Sequence, residues 1–155
     1  MALELNGTTG VSLVQDGVIQ TTDIDDGAVT TAKIASSTLV GTVSESSGTP
    51  TGAIIERGSN ANGEFVKYAD GTMICTNRNT ITPVANTFTA YTWTYPGGSF
   101  IQRPIVSVTG NSGVEAVQNA QCADFASDHS TVDVGLVRSN TANTELHSIA
   151  VGRWY

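Results

Sequence analysis

The chain has 155 residues, with 14 acidic and seven basic side chains and a formal net charge of −7. Holding nucleic acid by its phosphates, or docking on anionic lipid, needs a concentrated basic surface, so neither is expected. No apolar run approaches the ~20 residues of a membrane span, and the start lacks a basic segment followed by an apolar stretch. We expect a soluble protein made in the cytoplasm, with no secretory signal and no membrane insertion.

Only 14% of residues are charged. Thr, Ser, Asn and Gly are abundant, β-branched residues are plentiful, and hardly any segment has the composition of a stable surface helix. The expectation is a mostly β chain, long enough for one compact domain plus an appendage.

Residues 1–15 mix short apolar alternation with Asn6-Gly7 and Gly10, enough for a small β-element but not for a core. A ten-residue repeat follows. Asp16-Gly17-Val18-Ile19-Gln20-Thr21-Thr22-Asp23-Ile24-Asp25 is succeeded by Asp26-Gly27-Ala28-Val29-Thr30-Thr31-Ala32-Lys33-Ile34-Ala35. Each unit joins a turn dipeptide to a run too short to bury its own Val and Ile, so identical partners have to supply the missing surface. The repeat region is placed at 16–40. Residues 41–52 are rich in Ser, Thr and Gly and read as a linker or extended neck.

After Gly52 apolar residues become denser, and turn signals recur at the spacing of an all-β sandwich or barrel. Glu64–Tyr68 and Thr72–Thr76 flank Ala69-Asp70-Gly71 and predict a hairpin. Thr87–Tyr95 alternates so that Tyr91, Trp93 and Tyr95 share one face. Pro104 opens a strand in which Val106 and Val108 alternate with Ser107 and Thr109. Further strands are predicted over Val114–Phe125, Thr131–Arg138 and Glu145–Tyr155. In the last, His147, Ile149, Val151 and Arg153 share one face, with Leu146, Ala150 and Trp154 on the other. The domain is placed at 53–155.

Cys75 and Cys122 lack the short spacing of a zinc site and are either buried free thiols or a disulfide. No nucleophile elbow, phosphate loop or His-Glu-x-x-His occurs. The acids of Asp23-Ile24-Asp25-Asp26 are explained by the repeat turn rather than by paired-carboxylate chemistry. No catalytic residue, metal or cofactor is expected.

The decads resemble the stalk repeats of bacteriophage fibre proteins, both tail and head fibres. The opening MALELNGTTGVSL looks like their virion-attachment segments. Gly48–Asn60, Asn62–Cys75, the Tyr91-x-Trp93-x-Tyr95-Pro96…Phe100…Arg103-Pro104 stretch and the closing Val151-Gly152-Arg153-Trp154-Tyr155 are similar to fibre tips. The resemblance spans nearly the whole chain in three consecutive pieces. It implies a homotrimeric virion fibre or spike: 1–15 anchored to capsid or tail proteins, an intertwined trimeric stalk, and an antiparallel β-sandwich tip like the H-type lectins.

On this reading Val18, Ile19, Ile24, Val29 and Ile34 fill the threefold axis, and small Ala and Thr residues permit close approach. Tyr91, Trp93, Tyr95 and Trp154 serve the tip core or a subunit interface, and His147 is packed or interfacial. Candidate glycan contacts are Asn111, Ser112, Asp128, His129, Asn140 and Asn143, polar side chains in loops. With only two clear repeats, the chain resembles a short spike. Some fibre tips hold iron through His-x-His, a spacing that His129 and His147 do not have. The implied function is host-surface glycan recognition. The alternatives are a purely structural head fibre or capsid decoration and, more weakly, a depolymerase spike.

Overall fold

The computed structural model describes residues 28–111 and 119–155. The chain forms two compact units, Met1–Ala35 and Ser36–Tyr155. The described part of the first is short: a 3-10 turn at Thr31–Lys33 closed by the Lys33 amide on the Thr30 carbonyl at 2.9 Å. Lys33 Nζ also donates to the Ala28 carbonyl. Val29 and Ile34, expected on the threefold axis, are 57% and 36% exposed in a single chain. Val18, Ile19, Ile24 and the attachment segment lie outside the described residues, as does Ser112.

The second unit is antiparallel β. After a single helical turn α1 (Ser36–Leu39), a small hairpin forms from β1 (Glu45–Ser46) and β2 (Thr49–Pro50). Then come β3 (Ile55–Asn60), β4 (Gly63–Tyr68), β5 (Thr72–Ile81), β6 (Thr89–Thr94), β7 (Ile105–Asn111), β8 (Asn119–Phe125), β9 (Thr131–Val137) and β10 (Thr144–Arg153). One sheet has the order β3-β4-β5-β10-β7 and the other β6-β9-β8. Their inner faces meet in a sandwich-like arrangement.

Alternation along each strand decides which side chains meet. Met73 and Cys75 of β5 and Ala150 of β10 pack against Trp93 of β6 and Val132 and Val134 of β9, with Tyr95 and Phe100 closing one end. Ile81, Leu146 and Leu136 form a second cluster toward the other. Trp93 and Tyr95 sit edge-to-face at 5.1 Å, and Tyr95 and Phe100 at 4.9 Å, the geometry that sets a positive ring edge on a negative ring face. Polar bonds also bridge the sheets. The Trp93 indole N–H donates to the Asn62 carbonyl at 2.9 Å, and the Tyr91 hydroxyl to Asn77 Oδ1 at 2.7 Å.

The Ala69-Asp70-Gly71 turn forms as its dipeptide demands. Gly71 has φ +92°, a region that L side chains avoid, and a Cβ there would collide with the Arg153 guanidinium. The flanking register pairs Phe65 with Cys75 and Val66 with Ile74. Residues 41–52, read as a linker or neck, hold the β1–β2 hairpin and tie into the sandwich. Val43 and Ala53 are buried, the Val43 amide donates to Glu56 Oε2 at 3.0 Å, and the Ala53 amide to the Thr42 carbonyl at 3.0 Å.

Candidate functional site

The sandwich has two unlike ends. At the proximal end, where the chain comes in from Ser36, a run of bonds links four segments. The Ile54 amide donates to the Thr38 carbonyl (3.1 Å), the Ala69 amide to the Ile54 carbonyl (2.8 Å), and the Tyr155 hydroxyl to the Ala69 carbonyl. The distal end is marked by Thr144, opposite Ile81, and by Asn111, opposite Glu145.

The strand β9 divides the expected glycan contacts between these ends. Asp128 and His129 precede its first residue, at the proximal end where Phe100 donates its amide to the His129 carbonyl at 3.1 Å. Asn140 and Asn143 follow its last residue, and Asn111 ends β7 on the same distal side. Seven residues of strand keep the two groups roughly 20 Å apart at about 3.3 Å per residue. They form two places, not one site.

Each place has its own local chemistry. Asp128 Oδ1 accepts from the Ser130 hydroxyl at 2.7 Å and the Ser130 amide at 3.1 Å, which holds its carboxyl below the usual carboxylate range. His129 takes φ +56°, and its Nδ1 is buried with no hydrogen-bond partner among the described residues. That backbone region, which L residues seldom occupy, serves the turn before β9. At the distal end, Asn140 Oδ1 accepts from the Ala142 amide at 3.1 Å, and Asn143 Oδ1 from the Thr82 hydroxyl at 2.7 Å. Beneath them, buried Arg138 donates to Thr144 Oγ1 at 2.5 Å and to the Ala142 carbonyl at 3.2 Å, fixing the loop base.

The aromatic residues lie elsewhere. Trp93 is 1% exposed and Tyr95 2%, while Tyr91 and Trp154 are partly buried against the same core. Burial pushes the Tyr95 and Tyr91 hydroxyls upward from their ordinary range. Cys75 and Cys122 are separate thiols; the first is buried, which pushes its pKa up to about 11.

A third region, not evident in the sequence, is a shallow depression of ≈ 600 Å³ on the outer face of the five-stranded sheet, lined by Glu64, Thr76, Arg78, Thr109, His147 and Ile149. His147 Nε2 is 2.8 Å from Glu145 Oε2, and this contact is the main reason the Glu145 carboxyl titrates below its usual value. The signal was present in the alternation Ile74, Thr76, Arg78, but only strand register sets these side chains beside His147 and Thr109. Among the described residues no three His, Cys, Asp or Glu side chains converge as a metal site would require, and no helix is long and apolar enough to cross a membrane.

No family model and no curated protein matches the chain. Among solved structures, a C-terminal fragment of the P. aeruginosa R1 pyocin fiber is similar at 13% identity and a TM-score of 0.46, over 63% of this chain and 28% of that one. The chain thus spans less than a third of that fragment's length.

Proposed function

We propose that this chain is a short, homotrimeric fibre or spike protein of a bacteriophage particle, whose sandwich tip offers its distal loops to host-surface glycan. The observation that carries the reading is the polarity of the second unit. The chain comes in at one end, and Asn111, Asn140 and Asn143 stand at the other, on a frame held by the buried Arg138 and Thr144. The decads before it need identical partners to bury their Val and Ile, and they resemble fibre stalks. Residues 1–15 anchor the protein to capsid or tail proteins of the virion. Three tips on one stalk let individually weak sugar sites act together on a repeating surface. The reading includes no catalytic step and no cofactor.

A second reading, a head fibre or capsid decoration without receptor binding, draws on one observation. Asn140 and Asn143 both spend their side-chain oxygens within the chain, on the Ala142 amide and the Thr82 hydroxyl. Native mass spectrometry of the full chain, followed by glycan-array and host-cell binding, tests both. A trimer with saturable, sugar-competed binding supports recognition. A trimer that joins virions but binds no host surface supports decoration. A monomer ends both.

A further inference from the structure

The two outer faces of the sandwich differ in chemistry. On the three-stranded sheet the outward positions are Ala90, Thr92 and Thr94 of β6 beside Thr131 and Asp133 of β9, with Thr92 donating to Asp133 at 2.6 Å. That is an ordinary solvated face. On the five-stranded sheet, register sets Arg57, Val66, Ile74, Val151 and Ile105 in one row that crosses every strand. Ile149 lies in the next row, between Thr76 and Ser107. Ile105 is 80% exposed and Ile149 40%, and none of these aliphatic side chains belongs to either core cluster. A continuous aliphatic band across a sheet face that belongs to neither core cluster among the described residues marks a contact surface.

Charge says what covers it. The chain carries twice as many acids as bases, so copies of it repel one another over most of their surface. Among the described residues this face is the exception: it gathers Arg57, Arg78 and Arg153, three of the chain's seven basic residues, with Glu64 and Glu145 as its acids. Arg57 and Glu64, diagonal neighbours at one side of the aliphatic row, have no ion-pair partner among the described residues. A face with both signs left open beside an apolar band complements itself. The row also lies in the half of the sheet nearer the end at which the second unit begins.

We infer that the outer face of the five-stranded sheet is a subunit interface. The Val66–Ile74–Val151–Ile105 row packs against further copies of this chain, and Arg57 of one copy meets Glu64 of the next. The inference rests on the trimer reading above and names the surface that the tip uses for it.

The test uses the full chain. Ile105→Glu, and Ile105→Glu with Val151→Glu, are compared with Thr94→Glu on the opposite outer face by native mass spectrometry and circular dichroism at micromolar concentration. A benzophenone side chain placed at Ile105 supplies a photo-cross-link. We expect loss of the trimer, or a dissociation constant at least tenfold weaker, for the Ile105 variants with unchanged β signal. Thr94→Glu should stay trimeric, and the cross-link should join two chains. A trimer with unaltered melting temperature in both Ile105 variants overturns the interface and leaves the trimer reading standing. A cross-link to residues 1–27 of the same chain also overturns it, since the row is then covered by the chain's own start. A monomeric unaltered chain removes the trimer reading and this inference together.

Discussion

The indole N–H of Trp154 donates to the carbonyl of Tyr68 at 3.0 Å, across 86 positions of sequence. Around it, the Trp154 amide bonds the Gly71 carbonyl at 2.9 Å, Arg153 donates to the Asp70 carbonyl at 2.9 Å, and Tyr155 reaches Ala69. The final residues therefore clamp the β4–β5 turn. Trp154→Phe keeps an aromatic ring but removes one of two donors to the Tyr68 carbonyl, which still accepts the Gly71 amide at 3.0 Å, at a cost of about 0.5–1.5 kcal/mol. Urea unfolding checks this, and removing Trp154 and Tyr155 together should cost more than Trp154→Phe.

Arg138 is 2% exposed, and its guanidinium bonds Thr144 and Ala142 at the base of the distal loop. Arg138→Ala leaves a cavity and takes the guanidinium's bonds from Thr144 Oγ1 and the Ala142 carbonyl, the latter keeping the Thr144 hydroxyl at 3.2 Å. We expect a loss of roughly 3 kcal/mol or more, whereas Thr144→Val alone should cost on the order of 1–3 kcal/mol. Denaturant midpoints of the two variants measure the difference.

Burial holds the Cys75 thiol at about 11, against an ordinary value of 9.0. Below pH 9 the thiol is protonated in folded and unfolded chains alike and contributes no slope. Between pH 9 and 11 the unfolded chain releases its proton first, so stability falls as pH rises. Cys75→Ala should flatten that fall in urea titrations at pH 8, 9.5 and 10.5. Iodoacetamide at pH 8 should modify half-buried Cys122 well before Cys75.

Asp128 owes its lowered titration to the Ser130 hydroxyl and amide. A carboxyl depressed in the folded state contributes stability above its unfolded value, and that contribution is lost as pH falls through the folded one. Carbon-detected NMR should find it titrating below 3.8, and Ser130→Ala should move it upward.

The two ends of the sandwich predict different phenotypes. If the distal loops recognise host glycan as proposed, Asn143→Ala should weaken host-cell binding several-fold, while Asp128→Ala, at the proximal end, should leave it unchanged. The reverse result would overturn the proposed polarity.

Much of the sandwich is legible in sequence because its signals are local. Asp70-Gly71 between two alternating runs specifies a hairpin, and Tyr91, Trp93 and Tyr95 two apart specify a buried row. The 41–52 region hides its role because Val43 and Ala53 are small, and their amides bond Glu56 and Thr42, partners that only the folded chain brings near. The aliphatic row is invisible for the same kind of reason. Val66, Ile74, Ile105 and Val151 come from four strands, each alternating with polar neighbours, and align only through register. The candidate contacts were readable as polar loops, but nothing in their order says that β9 sends them to opposite ends.

The bonds running from Thr38 through Ile54 and Ala69 to Tyr155 bring the beginning and the finish of the second unit to one side. Cargo fused after Tyr155 would therefore stay clear of the far loops of this unit. Peptide grafted between Arg138 and Thr144 would instead ride at the opposite end of the sandwich, so a display scaffold made from this unit should carry its payload there.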